Sequence, residues 1–476
     1  MFKKIKPYYF FNLIAVLFLL SGCKTTVELE KANDLPANFS GRTDSANSAK
    51  MDWQNYFSDP DLLSLVDEGL KNNLNLLAAF QKIEASGAGV LNANGLLLPS
   101  LNANVAYLQR KFGLYTMDGA GNISTDITPG QIVPIHLPDY YLGLQTAWEI
   151  DIWGKLRNKK KSALASYLST VEGRNLIKTS LIAQIASDFY QLLQADNELT
   201  IIRETIQLQQ SALELIKLQK ETGIVSELAV EQFNAQLLNS RALEFETLQK
   251  ITELETNINF YLGRFPQPVK RDKEKFNKKL PFAIQVGIPS DLLIHRPDIR
   301  MAEFKVVASK ADLKAARAAF YPSFNINGSV GLQAFNTAYL FMTPQSLAYS
   351  LLGNLFAPLV NRAAIKAEFK RSTSAQLEAM YNYQSTILKA YAEVNTEISK
   401  IKNLDSISDL KSKEVNALIH SKDIATELFK TGRATYIEVL LAQRNSLVSS
   451  LELLEIKRRQ YQAYINTYKA LGGGWK

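Results

Sequence analysis

The chain has 476 residues, 46% of them hydrophobic and 21% charged, so it can bury a large core and is not an intrinsically disordered polymer. With one cysteine it can form no intramolecular disulfide, and His136, His295 and His420 stand too far apart for metal-ligand or triad spacing, with no Gly-rich phosphate loop beside them. Neither an enzyme nor a resident metal or cofactor is expected, and the Leu-, Ala-, Gln-, Glu- and Lys-rich tracts point to a mainly α-helical fold.

At the N-terminus, Lys3, Lys4 and Lys6 precede an apolar run from Tyr8 to Leu20 and then Leu20-Ser21-Gly22-Cys23, the form of a secretory signal peptide over residues 1–22. The run is too short for an ordinary membrane-spanning helix. Cys23, directly after a small-residue cleavage site, resembles the lipobox of bacterial lipoproteins. That resemblance implies cleavage before Cys23, diacylglycerol on its thiol and an acyl chain such as palmitate on the freed amine, leaving residues 23–59 as a lipidated N-terminal segment. Several acyl chains anchor firmly where one is marginal. Cleavage removes three lysines and no acid, taking the formal charge from +8 to +5. The basic clusters Arg157-Asn158-Lys159-Lys160-Lys161 and Lys270-Arg271-Asp272-Lys273-Glu274-Lys275 then read as solvated faces, since an exported lipoprotein meets no nucleic acid. No later segment has the apolar length of a membrane helix, so any membrane crossing must use strands.

The remainder is one architecture written twice, over residues 60–265 and 290–476, with a linker at 266–289. Leu98-Pro99-Ser100-Leu101-Asn102 recurs as Tyr321-Pro322-Ser323-Phe324-Asn325, an offset of 223, while Thr222-Gly223 and Leu262-Gly263 recur as Thr431-Gly432 and Leu471-Gly472, an offset of 209. The first copy therefore carries 14 extra residues, placed in a loop at 113–138 rich in Gly, Pro, Asp and Thr.

Each copy opens with a medium helix, expected over Pro60–Asn94 and Ser290–Phe320, and continues into two strands. In the strand after Pro322, Phe324, Ile326, Gly328, Val330 and Leu332 share one face and Ser323, Asn325, Asn327, Ser329 and Gly331 the other. Leu142, Leu144, Thr146 and Trp148 keep one apolar side in a partner strand, and Tyr107, Tyr140, Tyr141, Phe335, Tyr339 and Phe341 fall near strand ends. That is the pattern of a membrane barrel wall with a wet lumen and aromatic girdles. Residues 139–265 and 359–476 contain no proline, so nothing local stops helix propagation between Lys155 and Glu221 or between Arg362 and Gly432. Such a helix runs roughly 100 Å. Its return partner, about Ser226–Leu262, is much shorter, and the medium helix supplies the missing length if the two stack end to end. Gly223 and Gly432 then mark the tips of two helical hairpins at the end far from the strands.

Four strands cannot close a barrel, whose smallest filled forms need about eight. Open edges are not tolerated in lipid, so the chain must share a barrel with copies of itself, two giving eight strands and three twelve.

Several segments resemble the TolC-like outer-membrane efflux proteins, in particular the lipoprotein branch of NodT-type outer-membrane factors. They are Trp53-Gln54-Asn55-Tyr56-Phe57-Ser58-Asp59-Pro60-Asp61-Leu62, Ile294-His295-Arg296-Pro297-Asp298-Ile299-Arg300-Met301-Ala302-Glu303, the two Pro-Ser strand openings and the closing Leu471-Gly472-Gly473-Gly474-Trp475. The resemblance implies a homotrimer with a shared 12-stranded β-barrel in the outer membrane of a Gram-negative bacterium, continued by a periplasmic α-helical barrel. A periplasmic adaptor and an inner-membrane pump of the proton-driven RND type are the implied partners, with this chain as the passive exit duct. Gly223, Ile224, Val225 and Ser226, and Gly432, Arg433, Ala434 and Thr435, correspond to adaptor-docking tips, the glycines serving the turn and their neighbours the contact. Glu438 falls where the family places an aperture carboxylate, Leu441 replaces a second acidic position, and Ala229 stands where relatives often have an acid. Competing readings are a type I secretion duct for polypeptides and a pore-less periplasmic spacer lipoprotein, though a spacer needs no amphipathic strands.

Overall fold

The structure, a computed structural model, describes residues 36–39, 47–128, 130–277, 285–360 and 362–475; the signal segment and Cys23 lie outside them. After a short helix α1 (Trp53–Tyr56), the first repeat runs through α2 (Pro60–Asn72), α3 (Leu74–Gly95), β1 (Ser100–Arg110), α4 (Met117–Ser124), a ribbon of β2 (Asp126–Thr128) and β3 (Gln131–Ile132), β4 (Leu137–Ile150), α5 (Lys155–Glu221) and α6 (Glu227–Tyr261). The second comprises α7 (Asp291–His295), α8 (Pro297–Ala318), β5 (Ser323–Ala334), β6 (Leu347–Phe356), α9 (Ala363–Lys430) and α10 (Tyr436–Ala470). The duplication is metrical: α5 and α9 have 67 and 68 residues, α6 and α10 have 35 each, and α3 and α8 have 22 each.

Three sequence expectations need correction. The helix expected over Pro60–Asn94 is broken at Asn73, whose backbone is extended (φ −62°, ψ 120°). Its side-chain oxygen accepts from the Leu76 N–H at 3.0 Å, capping α3, while its amide nitrogen donates to the Tyr261 carbonyl at 2.8 Å. The helix expected over Ser290–Phe320 breaks at Arg296, because a residue preceding proline is driven out of the α region. Arg296 Nη1 donates to the Ala470 carbonyl at 2.8 Å and to Glu393 at 2.8 Å, and Nη2 donates to Asp298 at 2.6 Å. Both breaks thus join a medium helix to the end of a return helix, α3 to α6 and α8 to α10, the end-to-end stacking that the helix lengths require. Finally, the loop expected at 113–138 holds α4, capped by Thr116, whose hydroxyl accepts from the Gly119 N–H at 3.1 Å, and the β2–β3 ribbon.

The four long strands form one antiparallel sheet in the order β1-β4-β5-β6, so the repeats meet at β4–β5 and, among the described residues, the outer edges of β1 and β6 are free. Register keeps the faces consistent: Leu142, Leu144 and Trp148 lie opposite Leu332, Val330 and Ile326, while Val105 faces Leu142 and Tyr349 faces Val330. The opposite face carries Asn102, Asn104, Gln145, Asn325, Asn327, Ser329, Ser350 and Asn354. There Gly143 and Gly331 lie side by side under the Tyr141 ring; a Cβ on Gly143 would stand 2.6 Å from both the Tyr141 hydroxyl and the Gly331 Cα, so only glycine fits. No described helix is long and apolar enough to cross a membrane.

The main core lies midway along the long helices. Ile182, Ile185, Phe189, Leu192 and Leu193 of α5 pack against Leu62 and Val66 of α2, against Tyr461, Tyr464 and Tyr468 of α10, and against Trp53, Tyr56 and Phe57 of the N-terminal segment. Tyr56 stacks on Tyr464 at 4.3 Å and on Tyr468 at 4.1 Å. The Tyr56 hydroxyl donates to the Tyr464 carbonyl at 2.8 Å and the Tyr464 hydroxyl to the Tyr56 carbonyl at 2.9 Å, which satisfies both buried polar groups. Residues 53–57 thereby strap a helix of one repeat to a helix of the other.

Equivalent helices keep unequal company. α8 packs on both α5 and α9, whereas α3 packs extensively on α5 alone; α10 packs on α9 and α5, whereas α6 packs on α5 with only a marginal touch on α10. The unpartnered sides are apolar: Phe245 on α6 is 71% exposed and Leu388 on α9 is 63% exposed, joined by Leu238, Tyr381 and Leu410. Large apolar side chains left in water at heptad-like spacing mark a contact surface.

Candidate functional site

The hairpin tips are built by one local device used twice. α5 ends with the Gly223 N–H donating to the Lys220 carbonyl at 2.9 Å and the Ile224 N–H to the Gln219 carbonyl at 2.9 Å. α9 ends with the Gly432 N–H on Phe429 at 3.0 Å and the Arg433 N–H on Leu428 at 2.8 Å. The glycines take φ of +75° and +72°, the left-handed conformation that this helix stop demands and that other residues adopt at a cost. Ile224, Ser226, Arg433 and Thr435 are exposed around the turns, with Val225 and Ala434 half-buried. Beneath them the hairpins share a core of Leu213, Ile216, Val230, Phe233 and Val439. A cavity of about 410 Å³ opens between the hairpins, lined by Leu215, Ile216, Phe233, Phe429, Val439 and Gln443 among others.

The tips differ where the return helices begin. At the second, the Glu438 carboxylate accepts from the Thr435 N–H at 2.6 Å and from its hydroxyl at 2.9 Å, completing a reciprocal capping box. These bonds, from the backbone first and the hydroxyl second, hold the Glu438 carboxyl below its ordinary value. At the first tip Ser226 makes no side-chain cap and the equivalent Ala229 is fully buried in the shared core, while Lys220 and Glu227 close the turn with an ion pair. One turn beyond Glu438, Leu441 is half-exposed. The cap of Glu438 is readable from the Thr435-Tyr436-Ile437-Glu438 spacing, a Thr-x-x-Glu signature at a helix start.

His136 lies in the loop before β4, His295 ends α7 and His420 lies within α9, and among the described residues no three His, Cys, Asp or Glu side chains gather to hold a metal ion.

The sequence profile of the family described as "Outer membrane efflux protein" matches residues 65–264 and 288–473. The pyoverdine export outer membrane protein OpmQ of Pseudomonas aeruginosa is 27% identical over 98% of this chain and 97% of its own length. The probable outer membrane lipoprotein SilC of Salmonella typhimurium is 26% identical over 97% of this chain and 98% of its own. In structure, the outer-membrane channel OprN superposes with a TM-score of 0.83 at 22% identity, over 95% of this chain and 99% of that one.

Proposed function

This chain belongs to the outer membrane efflux protein family, and from that premise we propose that three copies close into one duct, anchored by lipid on Cys23 and docked through its hairpin tips to a periplasmic adaptor and an RND-type inner-membrane pump. The chain is an outer-membrane efflux channel and not an enzyme. It has no energy source of its own, so cargo moves by the work of the pump while the duct opens and closes.

The observation that carries the assembly is the unequal packing of equivalent helices. α8 and α10 show what α3 and α6 lack, namely a second neighbour of the α9 type, and a further copy supplies it together with the missing strand against each free edge. Three copies align four helical staves each; with axes about 10 Å apart, twelve make a tube about 38 Å across and leave a bore of roughly 28 Å. Two would leave about half that. Ile224 and Arg433 project from the tips as contacts for the adaptor, and the cavity between the hairpins can take an apolar side chain from it. Glu438, repeated by symmetry, forms the acidic ring of the aperture, with Leu441 as an apolar constriction one turn further in.

Single-channel recording in planar bilayers tests the duct. Discrete conductance is expected, and a pore-less spacer gives none. Glu438→Ala is expected to raise leak conductance or alter cation permeability; unchanged conductance and ion selectivity reject the gate assignment. Pulldown with tip variants at Ile224 and Arg433 tests docking, the expected result being loss of the adaptor with the duct still conducting.

A further inference from the structure

Three of the four helix ends that abut the strands are strongly basic. Residues 155–161, 310–320 and 362–371 hold twelve lysines and arginines against two acids, Asp312 and Glu368. The fourth end, residues 85–98, carries no charge. The excess at this one level exceeds the +8 of the whole chain, so the remainder is net acidic. Few of these cations are neutralised locally: Lys155 pairs with Glu149 at 2.6 Å, Arg157 with Asp151 at 3.1 Å and Arg371 with Glu368 at 2.8 Å. Lys159, Lys160, Lys161, Lys314, Lys366 and Lys370 are exposed and have no ion-pair partner within 4 Å among the described residues.

Their height is set by the residues just above. The Trp153 indole N–H donates to the Pro322 carbonyl at 2.8 Å and its ring stacks on Tyr321 at 4.9 Å, while the Arg362 guanidinium lies 5.0 Å from the Phe320 ring centroid. Half-exposed Trp and Tyr at the ends of membrane strands sit at headgroup level. Residues 155–161 span about 10 Å of helix, close to one Debye length in physiological salt, so the lysine charges act on the headgroups before screening removes them.

We propose that these three helix ends form a cationic collar that binds anionic phospholipid headgroups of the periplasmic leaflet and gathers acidic lipid around the duct. The proposal rests on the reading that the strands cross the outer membrane. Long lysine side chains lie along the helix surface and lift their ammonium groups toward the phosphates, and a basic segment beside a membrane surface attracts acidic lipid additively, residue by residue.

Tryptophan fluorescence of the assembled protein in vesicles of phosphatidylcholine with phosphatidylglycerol as the minor component tests it. Trp148 and Trp153 lie at the membrane end, while Trp53 and Trp475 lie in and beside the central core. Brominated phosphatidylglycerol is expected to quench about twofold more than its mole fraction predicts, with the preference clearly reduced in a Lys159→Gln/Lys160→Gln/Lys161→Gln variant and weakened by about 1 M salt. Quenching in proportion to mole fraction in the wild type overturns the proposal. So does a triple variant that keeps the lipid preference but shifts the reversal potential in bilayers, which assigns the lysines to the bore and to anionic cargo. No quenching by either brominated lipid, with no conductance, removes the membrane-crossing reading and the collar with it; conductance with proportional quenching removes the collar alone.

Discussion

α3 and α8 occupy equivalent places in the two repeats, have equal lengths and are joined to their return helices by equivalent side-chain bonds, yet α8 is enclosed between two long helices and α3 leans on one. α6 and α10 differ in the same sense. Since the second repeat shows how the element packs when its surroundings are complete, the first repeat records what a single chain lacks. The deficit is matched on the other side of the molecule, where α9 turns Tyr381, Leu388 and Leu410 to solvent. On the proposed assembly, a duplicated chain with one repeat enclosed and the other half-bare is a segment of a ring, and the bare sides are its joints.

The comparison breaks most readily at those joints. Leu388→Asp and Phe245→Asp are surface changes in an isolated chain, worth within about 0.5 kcal/mol. As contacts between copies they are buried, and an unpaired carboxylate there is expected to reduce the assembled species at least about tenfold while leaving the helical circular dichroism of the chain intact. Native electrophoresis of detergent extracts measures it.

The helix junctions come next. Arg296→Leu leaves Asp298 and Glu393 without their buried cation and the Ala470 carbonyl without its donor, an expected loss of about 3–5 kcal/mol. Its counterpart Asn73→Ala removes a helix cap and one bond to Tyr261, about 1–2 kcal/mol. Denaturant unfolding of the two variants should rank them in that order; equal effects would refute the idea that the second junction is the more heavily bonded of the two.

The tips give the smallest effects. Because hydrogen bonds depress the Glu438 carboxyl in the folded chain, its contribution is present above the ordinary value of 4.5 and is lost as pH falls below that through the folded one. Amide exchange at residues 435–438 should therefore quicken in acid relative to residues 226–229, where no such box exists, and Glu438→Gln should flatten the difference. Ser226→Ala should change little, since Ser226 makes no cap.

The long helices were the most legible part of the chain. Lys155–Glu221 carries only Gly173 as an interruption and ends at the helix-stopping Gly223, so its bounds follow from the absence of breakers. The break at Arg296 was readable from Pro297, and that at Asn73 from an asparagine able to cap, but a continuous apolar pattern on both sides of each concealed them. α4 was hidden by glycine content that reads as loop, its start marked only by Thr116. The β4–β5 pairing joins strands separated by two long helices, a contact that local pattern does not encode. At the tips, position and turn were legible from the repeated Thr-Gly. The capping role of Glu438 is encoded in the Thr-x-x-Glu spacing from Thr435, which the resemblance to an aperture carboxylate does not use.

The claim on which the rest depends is that copies of this chain pool their open edges and bare helix faces into one closed wall. Native mass spectrometry of the detergent-extracted protein tests it most directly. The account predicts a dominant species at three times the mass of the processed chain, which Leu388→Asp converts to single chains; a stable single-copy particle from the wild type would contradict it.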